Sequence, residues 1–527
     1  MKKEIKSRST NLIIFIAILV FINLVSQRIF TRFDLTEGNI YSLSEASKKV
    51  IKNLDSRLVV KAYFSKELPS QVADSKRFTR DLLAEYQAYS HGKFRFEFVG
   101  PAEKEKLKEE ARKNRIQPAT LRVNENDKVV VKEVYLGLAF FYEDQTATIP
   151  LVQNTQGLEY DITSKIKKIT EIDLKKIAFF GEEEEMTRRQ QMQGITGNYE
   201  QLKTQISENY EIKETGLEEK LDEDVKTLIF AGIKDSLSEN QLFNLDQFIM
   251  KGGNVIFFQE KVSADIQTQK ADVVKSNLFP MLNHYGIEME NNLVLDASCG
   301  EVQVRQQQGM FNMAIPVKYP FLPILTNVNQ EHEIVKNLDQ MQMVYASEIK
   351  APESKTNLNF EPLIYTSDNS GQVTGPRYQI GYQKYFKKDL KQMFNEEKKV
   401  VAALFSGKFQ SYFAESEEYP KAVKETDNAQ IILVSDSDFI KETSGGQSPG
   451  NKNFTLNALD YLSSNSILIG LRSREVTHRP LKEVSNATRK VVKWLNILLP
   501  SILLIIYGIF RYKSELRKRK HIGELYE

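Results

Sequence analysis

The sequence has few of the side chains on which metal and redox chemistry depend. It contains one cysteine, Cys299, and five histidines among its 527 residues. A single cysteine cannot form an internal disulfide, and its simplest role is that of a small buried apolar residue. The histidines are scattered along the chain and form no H-E-x-x-H pattern. We therefore expect no disulfide framework, no metal centre and no cofactor.

The common motifs of nucleotide and ester hydrolysis are also missing. The segment GGQSPGNKN at 445–453 has two glycines at the spacing of a phosphate loop, but Asn451 stands where the phosphate-binding lysine should be. The sequence contains no G-x-S-x-G nucleophile elbow. Its net charge of +2 leaves no electrostatic footprint for nucleic acid. These absences predict a chain that hydrolyses no nucleotide, binds no nucleic acid and is not an enzyme.

Two long uncharged apolar segments are present, one near each end of the chain. With their polar flanks, each reaches roughly 17 to 20 residues, close to what a hydrocarbon core of about 30 Å requires. They predict transmembrane helices at 12–30 and 491–511, and so a lipid bilayer as a partner. The second contains a proline and a glycine, which spanning helices tolerate and which allow close helix packing. The residues that mark the two segments are Leu12, Val25, Leu495, Pro500, Gly508 and Phe510.

Basic residues flank both apolar segments on the side of the chain termini. They are Lys2, Lys3, Lys6, Arg8, Arg511, Lys513, Arg517, Lys518, Arg519 and Lys520. The positive-inside rule therefore predicts a cytoplasmic N-terminus at 1–11 and a basic cytoplasmic tail at 512–527. The bulk of the chain would then face the periplasm from the inner membrane. A cleaved signal peptide is the alternative for the first segment, but Leu24 occupies a position that should be small for cleavage.

The region between the two segments predicts two soluble α/β domains. In the first, at 34–170, strand signals at 58–64 and 94–99 enclose a helical pattern at 74–90, and three further strands and a helix follow. This order suggests a thioredoxin-like layout as a fold analogy, without redox chemistry because the sequence has no C-x-x-C.

The second domain, at 175–480, shows near-continuous apolar strands at 175–181, 227–231, 255–259, 400–407 and 430–439. Such strands, joined by helices, predict a mostly parallel, doubly wound sheet. Within this domain, residues 296–399 show weaker periodicity with polar and proline-containing turns. We expect this part to be an irregular insertion.

Acidic residues follow two of these strands. Glu182 and Glu183 begin a run of four glutamates after one strand, and Asp436 and Asp438 lie at the end of another. Because ligands bind at the carboxyl edge of doubly wound sheets, these residues form a candidate sheet-edge cleft. Its carboxylates could hold a cation or act in acid–base chemistry. A solvated loop and turn-capping aspartates are the simpler interpretation.

Several segments resemble one known family. DLTEGNIYSLSEASKKVIKNL begins at Asp34, LVVKAYFSKELP and RDLLAEYQAYS follow it, and VSDSDFI and GNKNFTLNALDYL lie near the end of the second domain. As a set, with the two terminal spans, these resemble the GldG-type auxiliary subunits of ABC transporters associated with gliding motility.

The resemblance implies a non-catalytic subunit that works with a separate ATPase subunit and a separate multi-span membrane subunit. A second copy or a related chain is a further partner to consider. Two alternatives from other classes stay open. One is a membrane-anchored envelope enzyme that hydrolyses glycan or peptide with the strand-end carboxylates. The other is an anchored receptor for a small ligand.

Overall fold

The computed structural model describes residues 42–472 and 486–524, with short gaps at 102–103, 126–127, 153–154, 156, 172–173, 183–185, 193–194, 196, 267, 309–310, 353–357 and 466. The first predicted span at 12–30, with Leu12 and Val25, lies outside the described residues, as do the N-terminal segment 1–11 and Glu183. The described chain divides into two compact units, residues 42–472 and residues 486–524.

The first part of the larger unit is built on a four-stranded sheet with the strand order β2-β1-β5-β6. Strands β1 and β2 are parallel, whereas β5 and β6 run antiparallel to their neighbours. Strands β3 and β4 form a separate hairpin. The elements are α1 (Glu45–Lys52), β1 (Leu58–Phe64), α2 (Ser70–Tyr89), β2 (Phe94–Val99), α3 (Glu105–Lys113), β3 (Ala119–Glu125), β4 (Lys128–Val134), β5 (Leu136–Tyr142), β6 (Gln145–Ile149) and α4 (Leu158–Thr170).

Alternation along β1 explains why helices cover both faces of this sheet. Leu58 and Val60 pack into a core with α1, α2 and α4 on one face, while Tyr63 packs with α3 on the other. Helix α1 begins where Ser44 caps it, since the Ser44 hydroxyl accepts a hydrogen bond from the Ser47 amide. The βαβ opening followed by antiparallel strands is the element order on which the thioredoxin-like analogy rests.

The second part of the larger unit is built on an eight-stranded sheet. The first elements of this part are β7 (Lys175–Phe180), α5 (Arg188–Met192), α6 (Glu200–Ile206), β8 (Tyr210–Glu214), β9 (Val225–Phe230), α7 (Glu239–Met250), β10 (Asn254–Phe258), β11 (Val262–Asp265), β12 (Lys270–Val273), α8 (Leu278–His284), β13 (Glu288–Met289) and β14 (Asn292–Asp296). The later elements are β15 (Cys299–Gln308), β16 (Phe311–Leu325), β17 (Asn327–Val328), β18 (Met341–Gln342), β19 (Ile349–Lys350), β20 (Leu358–Tyr365), β21 (Ser370–Thr374), α9 (Leu390–Met393), β22 (Val400–Gly407), β23 (Phe409–Gln410), β24 (Glu425–Thr426), β25 (Gln430–Val434), α10 (Pro449–Leu462) and α11 (Ile469–Arg472).

The strand order of this sheet is β17-β20-β22-β25-β10-β9-β7-β8. Strands β8, β7, β9, β10 and β25 are mutually parallel, and β22, β20 and β17 extend the sheet with antiparallel pairings. Two apolar cores contain alternate residues of the same strands, such as Ile177 in one and Ala178 in the other. The sheet is therefore covered on both faces, as near-continuous apolar strands require.

The stretch 296–399 is more regular than the sequence indicates. It supplies β20 and β17 to the main sheet, and β15 and β16 form a long antiparallel hairpin. Prolines inside β16, such as Pro316, resemble turn signals in the sequence. They are tolerated because β16 pairs with β15 along most of its length, while the backbone pairing described for its second edge is confined to residues 321–325, where β18 and the Met343 and Tyr345 amides bind.

Strand β25 is shorter than expected. The sequence predicts a strand at 430–439, but the strand ends at Val434, and a 3₁₀ helix forms at Asp438–Ile440. The cause is local: the Asp436 carboxylate accepts a hydrogen bond from the Asp438 amide at 2.8 Å, which bends the chain into a turn.

A buried ion pair lies where α11 meets α4 and α10. The Arg472 guanidinium is 2.6 Å from the Asp460 carboxylate, and both side chains are almost fully buried, with relative exposures of 2% and 0% for the two residues. Arg472 also donates to the Asn457 side chain at 2.7 Å and to the Tyr160 hydroxyl at 3.1 Å. Tyr160 belongs to α4, so this ion pair connects the two sheet-bearing parts of the unit.

The polar contacts extend along α4. The Tyr210 hydroxyl donates to Asp460 at 2.5 Å and accepts from Asn465 at 3.1 Å, and Lys167 donates to Asn465 at 2.8 Å. Nearby, Lys165 forms an ion pair with Glu208 at 2.8 Å. The two parts are thus joined by a hydrogen-bonded polar junction as well as by apolar packing.

The smaller unit is one helix, α12 (Asn486–Glu524), of 39 residues. Its segment Ala487–Arg517 is long and apolar enough to cross a membrane, and none of its most apolar window is buried. The predicted span at 491–511, with Leu495, Pro500, Gly508 and Phe510, lies inside this segment. The basic tail expected at 512–527 continues the same helix as far as Glu524.

Replacing Arg472 by Met should strongly destabilise the larger unit, because Asp460 would be left as a buried unpaired carboxylate. We expect the free energy of unfolding to fall by about 3 to 5 kcal/mol. Chemical denaturation of the full chain in detergent measures this change. In the double variant Arg472→Met/Asp460→Asn the buried charge is gone, so part of the stability should return. A single Arg472→Met variant within about 0.5 kcal/mol of the parent would contradict this account.

Candidate sheet-edge site

The parallel strands place several loops along one edge of the large sheet. The chain goes from β7 to β8 on one side and then crosses to β9, β10 and β25 on the other. The strand order therefore reverses between β7 and β9. In doubly wound sheets the crevice outside the carboxyl ends at such a switch point is where ligands bind.

A small cavity of about 30 Å³ lies at this switch point. It is lined by residues from the loops after β7, β9, β10 and β25, together with a tyrosine that begins α6. These residues are Glu182, Tyr199, Ala231, Gly232, Ile233, Lys234, Glu260, Ser437 and Lys441. The volume is enough for one or two water molecules or for the tip of a larger group.

The loops meet closely at Gly232. This residue has φ of +77°, and a Cβ atom there would lie 2.6 Å from the Phe258 carbonyl oxygen and 2.7 Å from the Ser437 Cβ. Any other residue would therefore force the loops after β9, β10 and β25 apart. Gln259 also ties two of these loops, since its side chain accepts from the Ile233 amide at 2.8 Å and donates to the Ile233 carbonyl at 2.9 Å.

Asp436 acts as a structural brace in this structure. It is 1% exposed, and its carboxylate accepts hydrogen bonds from the Val344 amide at 2.7 Å and the Asp438 amide at 2.8 Å. Burial, and next the nearby Asp438 charge, raise the pKa of Asp436 well above its usual value. Its oxygens hold the loop after β25 against the segment before β19, which leaves them poorly placed to meet a ligand.

The other predicted acidic residues are more accessible. Asp438 is partly exposed and forms an ion pair with Lys441, with 3.2 Å between Nζ and Oδ1. Glu182 is exposed and lines the cavity. The structure therefore brings Glu182 to the same sheet edge as Asp436 and Asp438, as the strand pattern predicts. Glu183 lies outside the described residues.

Glu260 belongs to this edge, although sequence reasoning missed it. It is 8% exposed, and within the described part of the chain its Oε2 atom is buried without a hydrogen-bond partner. The sequence did contain a pattern that could have predicted it, because Glu260 follows β10 as directly as Glu182 follows β7. A lone glutamate beside a glutamine is less conspicuous than a run of four.

Larger cavities lie elsewhere and contain none of the predicted site residues. One of about 270 Å³ opens near the amino-terminal ends of β9 and β10, beside Lys220, Asp222 and Lys251. Another, of about 170 Å³, lies between the β15–β16 hairpin and residues 382–386. The first is at the edge of the sheet opposite the switch point.

The phosphate-loop-like segment has a structural role. Asn451 is buried at the start of α10, accepts from the Gln342 amide at 2.9 Å, and donates to the carbonyl oxygens of Gln342 and Phe439. The lone cysteine is equally unsuited to chemistry: burial raises the pKa of the Cys299 thiol to about 11, so little thiolate forms at neutral pH. Among the described residues, no group of three or more His, Cys, Asp or Glu could hold a metal ion.

The fold and the site together define an α/β protein with one long apolar C-terminal helix and a braced sheet edge. Residues 174–464, more than half of the chain, match the family described as "ABC-type uncharacterized transport system". The chain belongs to this family of ABC transporter auxiliary proteins. Membership indicates an accessory, non-catalytic role in association with components of such a system. Residues 37–141 match a domain of unknown function (DUF7088).

One curated protein is similar to this chain in sequence, and two solved structures align with part of it. An uncharacterized protein of Borreliella burgdorferi is 24% identical over 98% of this chain and 99% of its own length. Among solved structures, the N-terminal domain of mmIFT52 aligns with 55% of this chain at 12% identity and a TM-score of 0.31, covering 97% of that chain. A ThuA-like protein of Bacteroides uniformis aligns with 55% at 8% identity and a TM-score of 0.26, covering 91% of that chain.

Replacing Asp436 by Asn should change how stability depends on pH. The pKa of Asp436 is raised in the folded chain above the value of about 3.9 expected when it is unfolded. The folded state therefore binds the proton more tightly, and Asp436 lowers the free energy of unfolding as pH rises above about 4. Because Asn does not titrate, the stability of the parent relative to Asp436→Asn should fall by up to about 1.4 kcal/mol per pH unit in that range.

Unfolding curves at a series of pH values between 4 and 8 measure this difference. The companion variant is Asp438→Asn, which removes the neighbouring charge. It should weaken but not abolish the pH dependence, because burial is the larger cause of the raised pKa of Asp436. A parent-to-Asp436→Asn difference that stays constant with pH would contradict the inferred shift.

Proposed function

We propose that this chain is a membrane-anchored, non-catalytic subunit of an ABC transport complex, with its α/β body on the periplasmic side of the inner membrane. Family membership supports the accessory role, and α12 is the single observation that carries the anchoring. The resemblance of the segments after Asp34 to GldG-type subunits supports a link to gliding motility.

Helix α12 has the layout of a spanning helix. The stretch between Lys493 and Arg511 contains no charged residue, and its large apolar side chains are exposed. Trp494 and Tyr512 lie near its two ends, separated by roughly 18 residues or about 27 Å of helix. Aromatic residues at this separation match the two interfaces of a hydrocarbon core of about 30 Å.

The distribution of basic residues around the apolar stretch of α12 supports the proposed orientation of this helix in the membrane. Beyond Tyr512 the helix carries Arg517 and the three basic residues that follow it, more positive charge than the flank before Trp494. The positive-inside rule places that end in the cytoplasm. With a retained first span at 12–30, both termini are cytoplasmic and the body is periplasmic.

The partners follow from what the sequence lacks. It has no phosphate-loop lysine, since Asn451 stands in that position, so ATP hydrolysis must come from a separate subunit. Two single spans form no transport path by themselves, so a multi-span subunit completes the complex. A second copy or related chain could pair with the periplasmic body.

Affinity purification of the full chain from a gentle detergent should recover an ATPase subunit and a multi-span subunit. Gly508 offers a test of direct helix contact, because small residues allow close approach and a Cβ atom at Gly508 meets nothing within 4 Å in the chain itself. We expect Gly508→Leu to reduce recovery of the multi-span subunit several-fold without lowering the stability of the α/β body.

The matched control is Ile506→Phe, which adds bulk about 200° around the helix. Recovery of neither partner with the parent chain would count decisively against the proposed complex. Equal loss with both variants would argue against a specific contact at Gly508.

The first span should be retained in the mature protein. Mass spectrometry of the purified chain is expected to find an N-terminus before Leu12, because Leu24 disfavours signal-peptide cleavage. A mature chain that begins after Val25 would remove the first span and leave α12 as the single anchor.

A further inference from the structure

Glu260 is a buried acid that the described structure leaves partly unsatisfied. It follows β10 at the switch point of the large sheet and is 8% exposed. Its Oε2 atom is buried and receives no hydrogen bond from any described residue. A buried carboxylate is unfavourable unless a hydrogen-bond donor or an opposite charge accompanies it. Glu260 therefore needs a donor that the described part of the chain does not supply.

The switch-point cavity provides the space for such a donor. Glu260 lines this cavity of about 30 Å³, which holds one or two groups of the size of a water molecule. Its walls are fixed by the close approach of the loops at Gly232 and by the hydrogen bonds between Gln259 and the loop after β9. The exposed residues Glu182 and Lys234 also line the cavity, so it opens to solvent. The space is therefore both preformed and accessible.

The charges around this cavity favour a cation. The charged residues that line it are Glu182, Lys234, Glu260 and Lys441. Lys441 forms an ion pair with Asp438, so three carboxylates accompany two lysines and one negative charge is in excess. Glu260 also acts on Asp436: after burial and the charge of Asp438, the charge of Glu260 raises the pKa of Asp436. A ligand with a single positive charge would balance this group.

The size of the cavity and its lining residues narrow the type of cation. Among the described residues, no group of three or more His, Cys, Asp or Glu could hold a metal ion. A quaternary ammonium group is bound by a cage of aromatic side chains, whereas Tyr199 is the one aromatic residue among the described residues that line the cavity. A guanidinium group needs room for a planar fork of five donors. A primary ammonium group is compact and carries one positive charge and three donors, so it fits both the space and the acceptor.

We propose that the switch-point cavity binds a primary ammonium group, which donates hydrogen bonds to the Glu260 carboxylate. The group is the tip of a molecule whose remainder stays in solvent beyond Glu182 and Lys234, because the cavity holds little more than the tip. The amino terminus of a peptide and an aliphatic amine both present this group. The inference goes beyond the proposed accessory function and does not depend on it, since binding is a property of the chain alone.

Titration of the purified full chain in detergent tests the site with defined probes, at about pH 6.5, where an α-amino group is charged. The charged probes are butylamine and alanylalanine amide, each with one primary ammonium group. Their uncharged counterparts are 1-butanol and N-acetyl-alanylalanine amide. By isothermal titration calorimetry, each charged probe should bind at least tenfold more tightly than its counterpart, because the ammonium group alone supplies the missing charge and donors. The tighter of the two charged probes indicates whether a peptide terminus or an aliphatic amine is the natural source.

The variant Glu260→Gln keeps the size of the side chain and removes its charge. It should weaken binding of butylamine at least tenfold, while Glu211→Gln, which removes an exposed carboxylate at the opposite edge of the sheet, should bind as the parent does. Without any probe, Glu260→Gln should unfold at the same temperature as the parent or at a higher one, because it removes a buried charge that lacks a partner. A glutamate that served only to stabilise the loop would show the reverse, a lower unfolding temperature in the variant.

Two kinds of result would overturn the inference. The first needs no variant: no binding of either charged probe to the parent chain, or equal binding of butylamine and 1-butanol, would mean that the cavity holds water. The second is a Glu260→Gln variant that binds butylamine as tightly as the parent, or that is less stable than the parent without a probe. Either result leaves the proposed transport complex intact, since that proposal is tested by the recovery of partner subunits.

Discussion

The ion pair between Arg472 and Asp460 is the interaction on which the organisation of the large unit most depends. It is buried, so neither charge is hydrated, and each is stable only while the other remains in place. Through Tyr160 on α4 it holds the four-stranded and eight-stranded sheets together.

This junction explains how two separately recognisable parts form one body. The ranges that match known families are 37–141 and 174–464, whereas α4 and Arg472 lie outside both. The residues that join the two parts are thus contributed largely by connecting segments.

The sheet edge shows why an acidic pair in sequence need not be a reactive pair in structure. Asp436 and Asp438 look equivalent in VSDSDF, but Asp436 is buried and accepts two backbone hydrogen bonds, while Asp438 is partly exposed beside Lys441. Glu260, which the sequence makes inconspicuous, is the one with a buried oxygen that lacks a partner among the described residues. Burial and hydrogen bonding, rather than residue type, determine the role of each carboxylate.

The local sequence pattern was sufficient to predict many of the regular strands and helices. Strands such as β1 and β22 could be predicted to the residue, because alternation and near-continuous apolar runs act over a few positions. The carboxyl-edge position of Glu182 and Asp436 also followed, since parallel strands end on the same side. The strands at 299–325 and 358–365 were missed because β16 contains prolines that an open edge tolerates, and β20 belongs to the sheet only through long-range pairing with β22.

What the sequence determined by itself is the class of each segment: two apolar segments, two runs of α/β elements, and the lack of a phosphate-loop lysine. These are local or compositional properties. The tertiary structure alone decided which polar residues share a site. Arg472, Asp460 and Tyr160 come together across more than 300 positions of chain, and no periodicity records such a contact. It exists because burying a charge is favourable only where the fold supplies its partner.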